Sequence, residues 1–173
     1  MNTAIDYKLA SEFNYDFIDE ILRIDEAVYD ECWRGTKESL TARFNANRES
    51  YILACEGQKI VGYTCFFPIA EELSNRMQTE EKAFDDDIEA TDILPEYPKD
   101  AVADVFIIST AVLPAYQGEG IIKQLKIEFL KFLSDKINAG TKIPYILFCR
   151  LKPDGTLNFR KYKFNDYKMF EEQ

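Results

Sequence analysis

Histidine is absent from the 173-residue sequence. Its absence removes Ser-His and Cys-His nucleophile pairs, imidazole general bases and histidine-containing zinc sites. Carboxylates, phenols, amines and backbone dipoles are left to carry any chemistry. Glycine and proline are sparse, at seven and six, while 46% of residues are hydrophobic and 14% aromatic. That balance excludes a disordered, collagenous or repeat-array chain and predicts one packed globular domain. No hydrophobic run is long enough for a bilayer, since the longest uncharged stretch is residues 105–118. Residues 1–8 lack the basic and apolar segments of a secretion signal, so a cytoplasmic protein without membrane association is expected. No C-x-x-C pair joins Cys32, Cys55, Cys65 and Cys149, which are expected to be free, buried thiols.

Positive charge is also short: 21 Lys and Arg face 31 Asp and Glu, for a net charge of -10. Such a surface argues against nucleic-acid partners and favours cationic ones. Residues 71–100 carry eleven acids and three bases and so dominate the imbalance. They form either a solvated acidic loop or a surface that faces a cationic substrate.

Hydrophobic periodicity predicts a helix over residues 14–29, with Phe17, Ile18, Ile21, Leu22, Val28 and Tyr29 on one stripe. A shorter helix is expected over 36–46, with Thr36 as cap. Residues 51–56 and 59–67 are β-branched and aromatic, and the intervening Gly57-Gln58 suits a type II′ hairpin. Periodicity then fails across 70–100, a long and acidic connection. Residues 102–113 read as a buried strand at the centre of the sheet, stopped by Pro114, and residues 120–137 as the clearest helix in the chain. A strand over 144–150, a short helix over 156–161 and a last strand over 164–170 complete an α/β reading with one βαβ unit.

The informative segment is the strand-to-helix turn Val112-Leu113-Pro114-Ala115-Tyr116-Gln117-Gly118-Glu119-Gly120-Ile121. Two glycines remove Cβ atoms there, and the N–H groups of the first helical turn point outward at the positive end of the helix dipole. Such a terminus suits a phosphate or pyrophosphate, although the turn matches neither G-x-x-x-x-G-K-[ST] nor G-x-G-x-x-G. A merely tight turn is the alternative reading.

The pattern Val-x-Pro-x-x-Gln-Gly-x-Gly-Ile ahead of an amphipathic helix resembles the acetyl-CoA-binding motif of the GNAT superfamily of N-acetyltransferases. The resemblance extends over nearly the whole chain, from two N-terminal helices through the hairpin, long strand and βαβ unit. It implies a single GNAT domain over residues 1–173, with a mixed, mostly antiparallel, twisted sheet of six to seven strands and about four flanking helices. The acidic insert over 70–100 would be an acceptor-side lid, with aromatic help from Tyr97 and from Trp33, for which a plain core position is the alternative reading. By the same resemblance Gln117, Gly118, Glu119, Gly120, Ile121 and Ile122 would cradle the CoA pyrophosphate through backbone amides. Ala111, Val112 and Leu113 would hold the pantetheine arm on a strand edge splayed from residues 144–150, and Asn158 joins the cofactor-binding set. Lys123 and Lys126 are either phosphate neighbours or a solvated helix face.

Three positions depart from the family pattern. Ile122 stands where a small residue is usual. Phe159-Arg160-Lys161-Tyr162-Lys163-Phe164 aligns with Tyr-x-x-x-Gly-Phe, so the acid that protonates the leaving thiolate is replaced by Phe159. Tyr162 would substitute one turn on, or be an ordinary packed aromatic. Where relatives carry a carboxylate base on the central strand, this chain has Ile108 and Ser109. Asp104 shares that strand face and would act through a water relay; Glu72 or Asp85 to Asp87 would serve instead.

Asp85, Asp87, Glu89 and Glu96 fall at calcium-loop positions, but Ala90 occupies the glycine position and Pro95 disrupts the end, so no metal is expected. The reading is an acetyl-CoA-dependent N-acetyltransferase acting on a primary amine by direct attack in a ternary complex. Its acceptor would be a small cationic amine or a protein amine, and the protein a monomer or homodimer. The alternatives are a non-catalytic CoA-binding module and a protein-interaction module on the same fold.

Overall fold

The computed structural model describes residues 4–14, 16–79, 88–151 and 157–167. Six strands lie in one sheet in chain order: β1 (Ile5–Leu9), β2 (Tyr51–Glu56), β3 (Lys59–Ile69), β4 (Asp104–Val112), β5 (Tyr145–Leu151) and β6 (Leu157–Lys163). β1–β2, β2–β3 and β5–β6 pair antiparallel, and β4–β5 pairs parallel. Helices α1 (Ile18–Val28), α2 (Lys37–Ala46), α3 (Glu71–Thr79) and α4 (Ile121–Asn138) flank the sheet. The mixed, mostly antiparallel six-stranded sheet is the one expected. No helix among the described residues is long and apolar enough to cross a membrane.

The chain packs as two compact units, Met1–Cys65 with Ser109–Phe129, and Phe66–Ile108 with Leu130–Gln173. In the first unit Thr36 caps α2 by accepting from the Ser39 amide at 3.1 Å, while the Ser39 hydroxyl accepts from the Thr36 amide. The helix predicted from residue 14 begins at Ile18, because Asp16 Oδ1 accepts from the Ile18 amide at 3.0 Å and supplies the helix start. Phe17, Phe44 and Tyr51 meet edge to face at 4.9 and 5.6 Å and anchor α1 and α2 on β2. The two-residue hairpin turn has Gly57 at φ +62, and Asp100 is the sole non-glycine residue of positive φ among the described residues. Positive φ at the first turn position alone is what a type II′ turn requires. β1 was not expected. It is a half-buried edge strand in which Asp6 and Lys8 interrupt the apolar residues, leaving a short alternation as its only mark.

The second unit is built on aromatic contacts: Phe67–Phe106 at 5.8 Å, Phe66–Phe132 at 5.4 Å and Tyr97–Phe132 at 5.3 Å. Tyr97, expected to face an acceptor, is therefore core, and the Lys136 ammonium covers its ring. The later part of the acidic segment is ordered by a Leu94 N–H to Pro68 carbonyl bond of 2.9 Å and an Ile69–Ile93 bridge. The Asp85-Asp86-Asp87 run lies outside the described residues, so both the calcium pattern and those carboxylates fall there in part.

Two C-terminal expectations are corrected. Residues 157–161, read as helical, belong to β6, which pairs with β5 over seven positions. Residues 164–167 are helical where a strand was expected, and 168–170 lie outside the described residues. The strand was disguised because Lys161 is buried at a position where period-2 counting looks for an apolar residue. The thiols are free, with Cys55 and Cys65 buried as expected; Cys32 is exposed and Cys149 partly so.

Candidate active site

β4 delivers the chain into the glycine turn. Pro114–Tyr116 forms a single 3-10 turn, Gly118 and Gly120 take φ of +84 and +80, and α4 starts at Ile121. Only glycine adopts such φ without strain, and a Cβ at either position meets nothing within 4 Å. Residues 117–120 are exposed. The first α4 ladder bond from this turn is Gln124 N–H to Gly120 carbonyl, so the amides preceding Gln124 have no partner within the helix. The first turn of α4 carries no acid, which leaves the positive end of its dipole uncompensated by a helical carboxylate. Ile122, the bulky departure, is 44% exposed and turned to solvent. Tyr116 ties the turn to the hairpin by donating to Glu56 Oε2 at 2.6 Å, with the Lys59 ammonium 5.1 Å above its ring.

The strand end beside this turn has a defined polarity. The Leu113 N–H donates to the Val61 carbonyl at 2.9 Å, and the Thr64 and Thr110 hydroxyls meet at 2.8 Å, so β3 and β4 run antiparallel here. Ser109, Ala111 and Leu113 then direct their backbone groups to β3, and Thr110 and Val112 to the other edge. On that edge the Thr110 carbonyl accepts from Tyr29 Oη at 2.9 Å and the Val112 carbonyl from Gln117 Nε2 at 3.1 Å. Of the three residues expected to hold the pantetheine, Leu113 thus has its N–H committed to Val61, and Val112 presents its N–H outward. Gly62 permits the close approach of the strands, because a Cβ there would stand 2.9 Å from Val112 Cγ2 and 3.0 Å from the Ala111 carbonyl oxygen.

A line of hydroxyls runs inward from the same strand. Tyr29 Oη lies 3.1 Å from Ser109 Oγ, Ser109 Oγ lies 2.8 Å from Tyr63 Oη, and Tyr63 donates to Asp25 Oδ1. Asp25, on the last turn of α1, is 4% exposed and Tyr63 is 1% exposed. Burial pushes the Asp25 carboxyl up to about 6, against the opposing influence of the Tyr63 hydrogen bond and the Arg34 charge. Burial and the neighbouring Asp25 charge hold the Tyr63 phenol well above its ordinary range.

The residues singled out for catalysis sit elsewhere. Asp104 is wholly buried, with Lys161 Nζ 3.6 Å from Oδ2, beyond hydrogen-bond distance but close enough to pair the charges. An acceptor amine has no direct approach to it. Lys161 also donates to Ser74 Oγ at 2.8 Å and lies 4.5 Å over the Tyr145 ring. Tyr162 stacks on Phe148 at 5.9 Å and also packs against Tyr167, as a core-facing aromatic does. Asn158 is on β6 opposite Arg150, Glu72 is exposed on α3, and Trp33 is half-buried in a 3-10 turn after α1. Among the described residues no group of three or more acids and cysteines is placed to hold a metal.

A model of the acetyltransferase (GNAT) family matches residues 15–151, which include the hairpin, β4, the glycine turn and α4. The chain belongs to the GNAT acetyltransferase family. No curated protein matches this chain in sequence. Among solved structures it is similar to the loading GNATL domain of CurA from Lyngbya majuscula, at 15% identity and TM-score 0.62, over 87% of this chain and 68% of that one. It is similar to the NatC complex bound to Gag peptide and CoA, at 14% identity and TM-score 0.57, over 87% and 76%. It is also similar to the ribosomal-protein-S18-alanine N-acetyltransferase from Escherichia coli, at 8% identity and TM-score 0.54, over 98% and 76%. At such identities the likeness is one of fold. Within this GNAT fold, Asp25, Tyr63 and Tyr29 were not singled out from sequence. The available signal was Asp25 itself, an acid four residues after Ile21 on the apolar stripe of α1.

Proposed function

We propose that the protein transfers an acetyl group from acetyl-CoA to a primary amine by direct attack within a ternary complex. The observation that carries this reading is the exposed turn over residues 117–120, whose two positive-φ glycines leave the amides that open α4 bare of Cβ cover. Backbone N–H groups of Gly118, Glu119, Gly120, Ile121 and Ile122 hold the pyrophosphate, the expected Gln117 N–H being committed instead to the Pro114 carbonyl at 3.3 Å, and Lys123 and Lys126 at the start of α4 add positive charge. The strand residues Ala111, Val112 and Leu113 flank the pantetheine, with the outward Val112 amide as donor. A preorganised amide aimed at the thioester oxygen lowers the barrier by about 3 kcal/mol per donor. Bound acetyl-CoA supplies the activated acyl group, and the chain's own groups position it and move the proton.

Direct attack is favoured over an acyl-enzyme by the state of the buried thiols. Burial pushes Cys65 up to about 12 and also raises Cys55, so neither offers a thiolate near neutral pH. The leaving CoA thiol, at a pKa of ~8.5 by analogy with cysteine, departs without a strong acid, which suits a chain with Phe159 at the usual tyrosine position. Tyr162 remains the nearest phenol in sequence to that position, and Asp104 serves as the charge partner of Lys161. The acceptor is a small cationic amine or a peptide amine, in keeping with the net charge of -10 and a cytoplasmic setting. Peptide α-amines join the acceptor panel because one fold neighbour is a complex bound to a peptide and CoA and another is a ribosomal-protein alanine N-acetyltransferase.

The test is a thermal-shift titration with acetyl-CoA, followed by thiol release over alanine- and methionine-initiated peptides, lysine peptides, polyamines and aminoglycosides. Ligand at a hundred times Kd stabilises by about 2.7 kcal/mol, a rise of roughly 5–10 °C for a chain of this size. Binding with no thiol release for any amine would instead favour a CoA-binding module.

A further inference from the structure

Resting on the acetyltransferase reading, we infer that Asp25, Tyr63 and Ser109 form a proton relay that takes the proton from the acceptor ammonium and stores it on the Asp25 carboxylate. The relay stands in for the strand carboxylate that this chain lacks at Ile108 and Ser109.

The hydrogen count of the network is the reason. Four polar contacts run in series: Asp25–Tyr63, Tyr63–Ser109, Ser109–Tyr29 and Tyr29–Thr110 carbonyl. Each needs one hydrogen. Tyr63, Ser109 and Tyr29 own one hydroxyl hydrogen each, and an ionised carboxylate and a carbonyl own none. With Asp25 charged, three hydrogens serve four contacts and one contact is left with facing lone pairs. With Tyr63 donating to Asp25 and Tyr29 donating to Thr110, the Ser109 hydrogen goes to Tyr63, and the gap falls between Ser109 Oγ and Tyr29 Oη. A protonated Asp25 supplies the fourth hydrogen, and the chain then runs unbroken from Asp25 through Tyr63, Ser109 and Tyr29 to the Thr110 carbonyl. The network is therefore built to be complete after it gains a proton.

The gap lies at the accessible end. Ser109, Thr110 and Tyr29 are partly exposed, whereas Asp25 and Tyr63 are buried at 4% and 1%. Ser109 is two residues before Ala111, about 7 Å along the strand from the segment assigned to the pantetheine. An ammonium at this edge donates to Ser109 Oγ. As its N–H bond breaks, the Ser109 hydrogen passes to Tyr63 Oη and the Tyr63 hydrogen to Asp25 Oδ1. Both hydroxyls are regenerated, the amine becomes a neutral nucleophile and the carboxylate a neutral acid. The second nitrogen proton leaves with the CoA thiolate, so one ammonium and one thioester yield one amide, one thiol and one proton, which Asp25 returns to solvent.

The surroundings of Asp25 agree with that task. Tyr63 and Cys65 from β3, Tyr51 from β2 and Arg34 beyond the end of α1 are the titratable and charged groups coupled to it, with Tyr29 beside Tyr63. A carboxyl held at about 6 is mostly ionised at neutral pH and is more basic than an exposed aspartate.

The experiment is the pH profile of kcat/KM for thiol release from acetyl-CoA, with the fastest amine of the panel above. The profile is measured for the wild-type chain and for Asp25→Asn, Tyr63→Phe and Ser109→Ala, alongside acetyl-CoA affinity by calorimetry. Ser109→Ala is a small change at a partly exposed position, so the test survives a folding defect in either buried variant. A relay that accepts from an ammonium gives an acid limb near pH 6. A reaction that waits for solvent to deprotonate the amine gives a limb at the amine's own value, ~8 for an α-amine or ~10.4 for a lysine. The expected result is a wild-type limb near 6, a loss of about 10²–10³ at pH 7 in all three variants, movement of their limbs to the amine's value, and unchanged acetyl-CoA affinity. Turnover whose rate and limb the variants leave unchanged overturns the relay alone. Absence of wild-type turnover over the whole panel overturns the transfer reading and the relay with it.

Discussion

Replacing Asp25 with asparagine is expected to make the protein slower and more stable at once. The carboxylate is buried beneath Tyr63, and its folded value of about 6 stands above the ordinary aspartate value of 3.8. A group raised in the fold contributes stability below its unfolded value and loses it as pH rises through its folded value. From pH 4 to pH 8, therefore, ionising Asp25 costs the fold roughly two pKa units, or about 3 kcal/mol at 1.36 kcal/mol per unit. Discounting for the weaker bond that Tyr63 makes to a neutral amide leaves about 1–2 kcal/mol. Asp25→Asn then melts about 2–8 °C above the wild type at pH 8, with the two curves converging by pH 4. Thermal unfolding followed by circular dichroism across that pH range measures the gap. A variant that melts lower than wild type at pH 8, or a gap that does not change with pH, refutes the account of Asp25 as a strained buried base.

Gly62→Ala forces a Cβ to within 2.9 Å of Val112 Cγ2 and 3.0 Å of the Ala111 carbonyl oxygen. A loss of about 1–3 kcal/mol in urea unfolding is expected, with weakened acetyl-CoA affinity because β4 must shift. Gly120→Ala meets no steric obstacle but must hold φ +80, so it is expected to cost about 1–2 kcal/mol and to lower CoA affinity in calorimetry. Lys161→Met leaves the fully buried Asp104 without its cation, and about 3–5 kcal/mol of stability is expected to go; the double replacement with Asp104→Leu recovers most of it in the same unfolding assay.

The parts of the fold that were legible are those in which local chemistry decides the structure. Gly57-Gln58 between two β-branched runs, Thr36 ahead of an amphipathic stretch and Pro114 after an apolar run each found its element. The glycine turn was legible for the same reason, since positive φ at Gly118 and Gly120 is written in the residue type. What escaped depends on distant partners. β6 carries Lys161 where a strand would show an apolar residue, and distant partners, Asp104 57 positions earlier in sequence and Ser74 87 positions earlier, make that burial tolerable. β1 is recognisable as a strand through its ladder to β2. The network at Asp25 joins residues 38 and 46 positions apart through Tyr63 and Ser109, so no local pattern announces it. Tyr97 read as a surface aromatic because its neighbours are acidic, whereas its ring is packed on Phe132.

The central claim is that the amides at the start of α4 bind the diphosphate of coenzyme A. Backbone amide spectra of the full chain recorded during a CoA titration test it residue by residue. The account predicts saturable shifts concentrated at residues 117–122, with smaller ones at Val112 and its neighbours. Saturation without any movement of those amides, or no binding at millimolar CoA, contradicts it.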